Sequence, residues 1–176
     1  MRINSETLIG IKNIFEASSF RSSAKSKRCL VYIDGFYEHH HSNGKTFPFH
    51  VKMLDGSPLS LAGLWDEWVN KETGEVVNSV SIVTTKGNPQ MSKIHNNPKL
   101  EEPRMPVILP KDKQEDWLAP YQSDQDKIAL SSLMLPFEEN MLAYFTVPRL
   151  KGKEAVGDSP EAEKLYIYEE LTSRNN

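Results

Sequence analysis

A second cysteine is missing from this 176-residue chain. Cys29 alone can form neither an internal disulfide nor a multi-cysteine zinc cluster, which points to a reducing cytosol and leaves stability to packing. Long hydrophobic runs are missing too. No segment approaches the roughly 20 apolar residues needed to cross a bilayer, and the start MRINSETLIGIKN lacks the apolar stretch and small-residue cleavage site of a signal peptide. The expectation is a cytoplasmic protein with no membrane role. Glycine and proline, at 9 and 11, are too few and too scattered for a low-complexity chain, and 38% hydrophobic residues suffice for a core. A large net charge is also absent, the formal value being −3. One domain covering 1–176 fits this length.

What is present is unevenly spread. Among the first 30 residues Arg2, Lys12, Arg21, Lys25, Lys27 and Arg28 face only Glu6 and Glu16, whereas acid predominates after Leu150. A phosphate-facing surface would lie near the front, although a solvated helix face explains the same charges.

The segment SETLIGIKNIFEASSFRSSAKSK predicts helical pieces, with Ser5 or Thr7 as a cap and Leu8, Ile11 and Phe15 at helical spacing. From Arg28 the pattern changes to strands. CLVYIDGFYEH is β-branched and aromatic with a break near Asp34 and Gly35, and Phe47, Phe49, Val51 and Met53 alternate with polar or small neighbours beyond a turn at Ser42–Lys45. These two strands read as a hairpin. LSLAGLWDEW reads as a strand inside a sheet, VVNSVSIVTT as its neighbour, and Met105 to Leu109 as a short strand. Trp117 and Leu118 anchor a helix, and Pro160 to Leu171 reads as the last one. Five or so strands without β-α alternation define an α+β fold around a curled, mainly antiparallel or mixed sheet, in effect a partial barrel, with peripheral helices.

Three features bear on chemistry. The tract Glu38-His39-His40-His41 can present no more than two imidazoles on one strand face, so an exposed hairpin end is the expectation and no metal or other cofactor is predicted. Cys29 reads as a buried core thiol, Arg28 beside it being a weak sign of reactivity. Glu38 and His95 could divide proton donation and acceptance if they faced one cleft, but spacing alone does not bring them together.

Several strings in order carry a resemblance: RCLVYIDGFYEH, LAGLWDEW, SIVTTKGN, KIH and RMPVIL. Together they resemble the SOS response-associated peptidase family, whose SRAP domain shields abasic sites in single-stranded DNA, and the likeness runs from about Asn4 to about Leu150. It implies a mixed α+β domain with DNA in a basic groove, single-stranded DNA containing abasic sites as partner, and association with the nucleoid during DNA damage. In that family an N-terminal cysteine captures the sugar aldehyde: its amine forms an imine and its thiol closes a thiazolidine. By motif match Glu38 and His95 assist the proton transfers.

The likeness fails at the front. MRINSET resembles an internal string of the family, so the cysteine-bearing portion is expected to be missing and crosslinking is not expected of this chain alone. A sheet edge left uncovered would favour self-association or a complementing N-terminal segment. Arg2, Arg21, Arg28 and, in RMPVIL, Arg104 are the candidate phosphate contacts. Asn4 joins them within a partly kept DNA-contacting string. Tyr37 could offer a stacking face to a base or pack in the core, and His39 stands where members commonly have tryptophan. Besides abasic-site binding, two other readings remain: residual lyase or self-processing peptidase chemistry by Glu38 and His95, and a non-catalytic remnant or interaction domain.

Overall fold

The computed structural model describes residues 8–10 and 14–172. Its strands are β1 (Leu8–Gly10), β2 (Arg28–Ile33), β3 (Phe36–Ser42), β4 (Lys45–Met53), β5 (Leu59–Val69), β6 (Val76–Lys86), β7 (Arg104–Pro106) and β8 (Leu142–Thr146). The helices are α1 (Arg21–Ser26), α2 (Pro89–Ile94), α3 (Gln114–Leu118), α4 (Asp124–Leu133) and α5 (Glu169–Thr172). This is an α+β fold with two sheets and no closed barrel among the described residues.

The chain divides into two compact units. The first draws on Met1–Ile33, Leu59–Lys86 and Arg104–Phe137. Its sheet runs β1-β6-β5-β2 with β7 also on β6, and every pairing is antiparallel except β1 with β6. Beyond β7 the chain crosses the sheet: the Val107 N–H donates to Val83 O, Ala62 N–H donates to Val107 O, and Leu109 N–H donates to Ser60 O. Ile14, Phe15, Ala62, Leu64, Val83, Val107, Leu109, Trp117, Leu130 and Met134 form the core of this unit. Trp117 is its largest fully buried side chain, and its indole N–H donates to Cys29 O at 3.0 Å. An aromatic ring can be buried so deeply because its one polar atom has found a carbonyl.

The second unit draws on Asp34–Pro58, Gly87–Pro103 and Glu138–Asn176. Here β3, β4 and β8 form an antiparallel sheet in that order. The β3–β4 hairpin closes through Asn43 and Gly44, whose φ values of 50° and 72° suit the twist of the flanking strands. Phe47 and Val51 on β4 are buried, and Phe47 meets Tyr168 edge-on with ring centroids 5.0 Å apart.

Two expectations change and one is refined. Leu8–Gly10 is a strand, not a helical piece, and among the described residues of that region the α-helix is Arg21–Ser26. A ladder on β6 outweighs local periodicity already weakened by serines. β5 is an interior strand as expected, between β6 and β2, but its buried pattern ends at Leu64 and Trp65 and Trp68 are 40% and 60% exposed. The β2 ladder also ends opposite Leu64, so the rest of β5 pairs with β6 alone. Pro160 to Leu171 is not one helix. A short 3-10 turn at Pro160–Glu163 gives way to extended chain, where Tyr166 N–H donates to Thr146 O and the Thr146 hydroxyl donates to Tyr166 O. The edge of β8 offers those residues hydrogen bonds that a helix would have had to supply.

Replacing Trp117 by alanine should destabilise the protein by about 3–5 kcal/mol, since it opens a large cavity and removes the indole hydrogen bond to Cys29 O. Urea unfolding followed by circular dichroism measures the loss.

Candidate active site

In β3 a missing hydrogen on β4 directs the outward groups. His39 sits opposite Pro48, which has no N–H and whose carbonyl accepts from Val147 N–H at 3.0 Å on the β8 side. Antiparallel pairs alternate, so the backbone groups of His39 and, two residues on, His41 face away from β4. β3 is the edge of this sheet, and those groups need other partners.

Glu38 supplies one. Its Oε1 accepts from His39 N–H at 2.9 Å, which turns Oε2 toward His95 Nδ1 at 3.4 Å. That separation is longer than a hydrogen bond and short enough for charge pairing. Both side chains are partly buried, at 23% and 18% exposure, so solvent still reaches them. Asn96 supplies the other: its Oδ1 accepts from His41 N–H at 2.6 Å and its Nδ2 donates to His41 O at 2.9 Å.

α2 carries His95 to this edge. Asn88 caps it, Oδ1 accepting from Met91 N–H at 2.7 Å, and Pro89 at the first position needs no donor. Asn88 Nδ2 reaches Tyr144 Oη at 3.1 Å, and Gln90 N–H donates to Glu139 Oε2 at 3.0 Å. Met91 and Ile94 bury the apolar side, and His95 ends the helix with its N–H on Met91 O. Glu38 and His40 share a face of β3. His40 Nδ1, which must carry the proton, donates to Lys93 O at 2.9 Å.

The histidine tract is therefore not an exposed hairpin end. His39, His40 and His41 are all partly buried, because α2 packs on β3. Burial is the main cause holding the His39 pKa below the ordinary value, Glu38 opposing it. No three histidine, cysteine, aspartate or glutamate side chains form a metal-binding group among the described residues. Sequence reasoning weighed His40 only as a metal ligand and overlooked Asn88 and Asn96, of which the Asn-Pro of GNP, a helix-start signal, could have revealed the first.

The candidate DNA contacts diverge. Arg2 and Asn4 lie outside the described residues. Arg21 is exposed at the start of α1. Tyr37 is 36% exposed and stacks on buried His50, with centroids 4.9 Å apart and planes at 26°. Arg104 belongs to the first unit, where its guanidinium donates to the Thr84 hydroxyl. Arg28 is engaged within its own unit. Its Nε donates to Trp117 O at 2.8 Å and its terminal nitrogens to the carbonyls of Ala24, Lys25 and Ala119, so four of its five N–H groups tie backbone together instead of awaiting phosphate. The Cys29 thiol, pushed up in pKa by burial, is a poor nucleophile.

At this sheet edge a carboxylate meets an imidazole carried by a helix end, two groups that can give and take protons. The model of the SOS response associated peptidase (SRAP) family matches residues 9–153, and the chain belongs to that family. The abasic site processing protein YoqW of Bacillus subtilis is 33% identical over 151 residues, covering 85% of this chain and 62% of the relative. HMCES of Xenopus tropicalis, another abasic site processing protein, is 31% identical over 125 residues, 61% of this chain and 34% of the relative. A crystal structure of a Bacteroides thetaiotaomicron protein superposes with a TM-score of 0.79 at 29% identity, covering 91% of this chain and 66% of that one. One from Bordetella bronchiseptica gives 0.69 at 30%, covering 80% and 64%. The chain spans 62% of the length of YoqW, and its matches to the Bacillus proteins YobE and YoaM cover 57% and 55% of theirs.

Two consequences follow for stability. A Cβ added at Gly35 would lie 2.8 Å from Val51 O and closer still to the His50 ring, so Gly35→Ala should cost on the order of 1–3 kcal/mol in urea unfolding. Burial holds the His50 pKa low in the folded chain, with Glu163 opposing and Lys52 assisting. The unfolded chain therefore binds the proton more readily, and stability should fall as pH drops below about 6.5, levelling once the folded imidazole also titrates. Unfolding midpoints across that range measure the slope, which His50→Phe should reduce.

Proposed function

We propose that this chain is a SRAP-type module that recognises abasic sites in single-stranded DNA during the DNA damage response, with Glu38 and His95 handling protons at the damaged deoxyribose. The observation that carries this reading is their 3.4 Å approach at the edge of β3. A ring-opened abasic sugar presents an aldehyde. Attack on it needs a proton delivered to the carbonyl oxygen and another removed from the attacking group, and an imidazole beside a carboxylate can do both. Positioned acid–base groups contribute roughly 10²–10⁴-fold.

The family match crosses both units, which supports reading 1–176 as one functional domain. Arg21, which is exposed, and Arg104, both of the first unit, are the phosphate-binding candidates we retain, and Tyr37 of the second is a candidate stacking face. Arg28 is left out because carbonyls occupy it. Cys29 does not serve a thiazolidine, since the α-nitrogen of an internal cysteine is locked in a peptide bond. The described residues contain no helix long and apolar enough to cross a membrane. A cytoplasmic protein that joins the nucleoid during damage fits this reading, and self-association or a complementing segment would complete the sheet edge.

The same pair favours a second reading, abasic-site strand cleavage. One experiment covers both: an oligonucleotide with a single abasic site and its intact counterpart are titrated at about 50 and about 200 mM salt, and strand cleavage is followed. Binding should weaken steeply with salt and favour the abasic strand, and Glu38→Gln or His95→Ala should reduce that preference by about tenfold with the salt slope unchanged. Equal affinity of the wild type for both strands overturns abasic-site recognition. Cleavage equal in all three proteins removes the pair from any lyase chemistry.

A further inference from the structure

The open edge of β3 presents a donor and an acceptor at His41, and a primary amide matches both at once. In only one orientation does Asn96 satisfy them, with oxygen toward the N–H and nitrogen toward the carbonyl. A carboxylate of the same size could accept but not donate. Asn96 thus takes the place of a strand partner on an edge that has none among the described residues. Its importance comes from its neighbour in the chain. Asn96 follows His95 directly, and consecutive Cα atoms are about 3.8 Å apart, so a clamp on one constrains the other. The clamp acts on His41, three residues from Glu38 in the same extended strand. Strand and helix end are thereby tied at two places, by Asn96 to His41 and by His40 to Lys93 O.

We propose that Asn96 is a positioning residue for the Glu38–His95 pair, its amide holding the C-terminal end of α2 against the edge of β3 so that the imidazole faces the carboxylate. Its functional consequence rests on the proton-transfer reading of that pair. The effect can be large because a displacement of about 1 Å at a reacting group can cost about 10²-fold.

The test uses the full chain, nitrogen-15 labelled, as wild type, Asn96→Ala, Asn96→Asp and Glu38→Gln. The imidazole resonances of His95 report its surroundings without any DNA. In Asn96→Ala they should move to the positions found in Glu38→Gln, while the Trp117 indole resonance in the other unit stays in place as the control for folding. His95 resonances that remain at wild-type positions in folded Asn96→Ala overturn the proposal. If Asn96→Ala fails to fold, Asn96→Asp decides by the same criterion, because it keeps the acceptor for His41 N–H and puts a charged oxygen in place of the donor.

A double-mutant cycle on abasic-strand preference supplies the functional readout. Glu38→Gln should cost about tenfold in the wild-type background and less than about twofold with Asn96→Ala already present. A full tenfold cost in both backgrounds gives Asn96 a structural role only and overturns the proposal. A Glu38→Gln change without effect in the wild type counts against the proton-transfer reading, and the His95 resonances still decide whether Asn96 positions the ring.

Discussion

The site depends on unpaired backbone at one sheet edge. A strand at the rim of a sheet must find partners for half of its N–H and C=O groups, and in β3 those of His39 and His41 look outward because Pro48 opposite His39 directs its carbonyl to β8. The protein meets that demand with side chains. Glu38 folds back onto His39 N–H, and that hydrogen bond aims its second oxygen at His95. Asn96 answers both groups of His41. The same edge that would invite pairing by another chain has been used to orient a carboxylate and to seat a helix end.

The two units divide their labour in a way visible within each. In the first, burial is organised around Trp117, whose indole reaches Cys29 O, and Arg28, whose guanidinium gathers carbonyls from the end of α1 and the end of α3. An arginine used so is a many-armed clamp for helix ends, where C=O groups lack intrahelical donors. In the second unit side-chain hydrogen bonds hold both ends of α2, a helix of six residues. So short a helix has little stability of its own, and its tethers, Asn88 to Tyr144 and Asn96 to His41, decide where it lies. His95 sits at the tethered end.

Aromatic residues illustrate how the same residue type serves different ends. Trp117 is wholly buried, whereas Trp65 and Trp68 extend into solvent on the part of β5 that has outrun β2. Phe47 is held edge-on by Tyr168, and Tyr37 covers one face of a buried histidine while keeping its own outer face open. Composition counts these rings equally; the ladder each strand finds determines which of them water sees.

Local chemistry was legible in the sequence wherever neighbours along the chain decide it. The α+β class, the hairpin around Asn43-Gly44, the strands around Val31, Val51 and Val83, and the helix at Trp117 follow from β-branched content, turn residues and short-range spacing. Ordered motifs also pointed to the family and singled out Glu38 and His95. Tertiary structure alone decided that Leu8–Gly10 lies on β6, that the chain after Glu163 runs along β8, that Arg28 faces carbonyls, and that His40 and Asn96 bring a helix end to a strand edge. The physical reason is common to these cases. Each depends on which distant backbone groups are left without a partner, and that is set only when the sheets have formed.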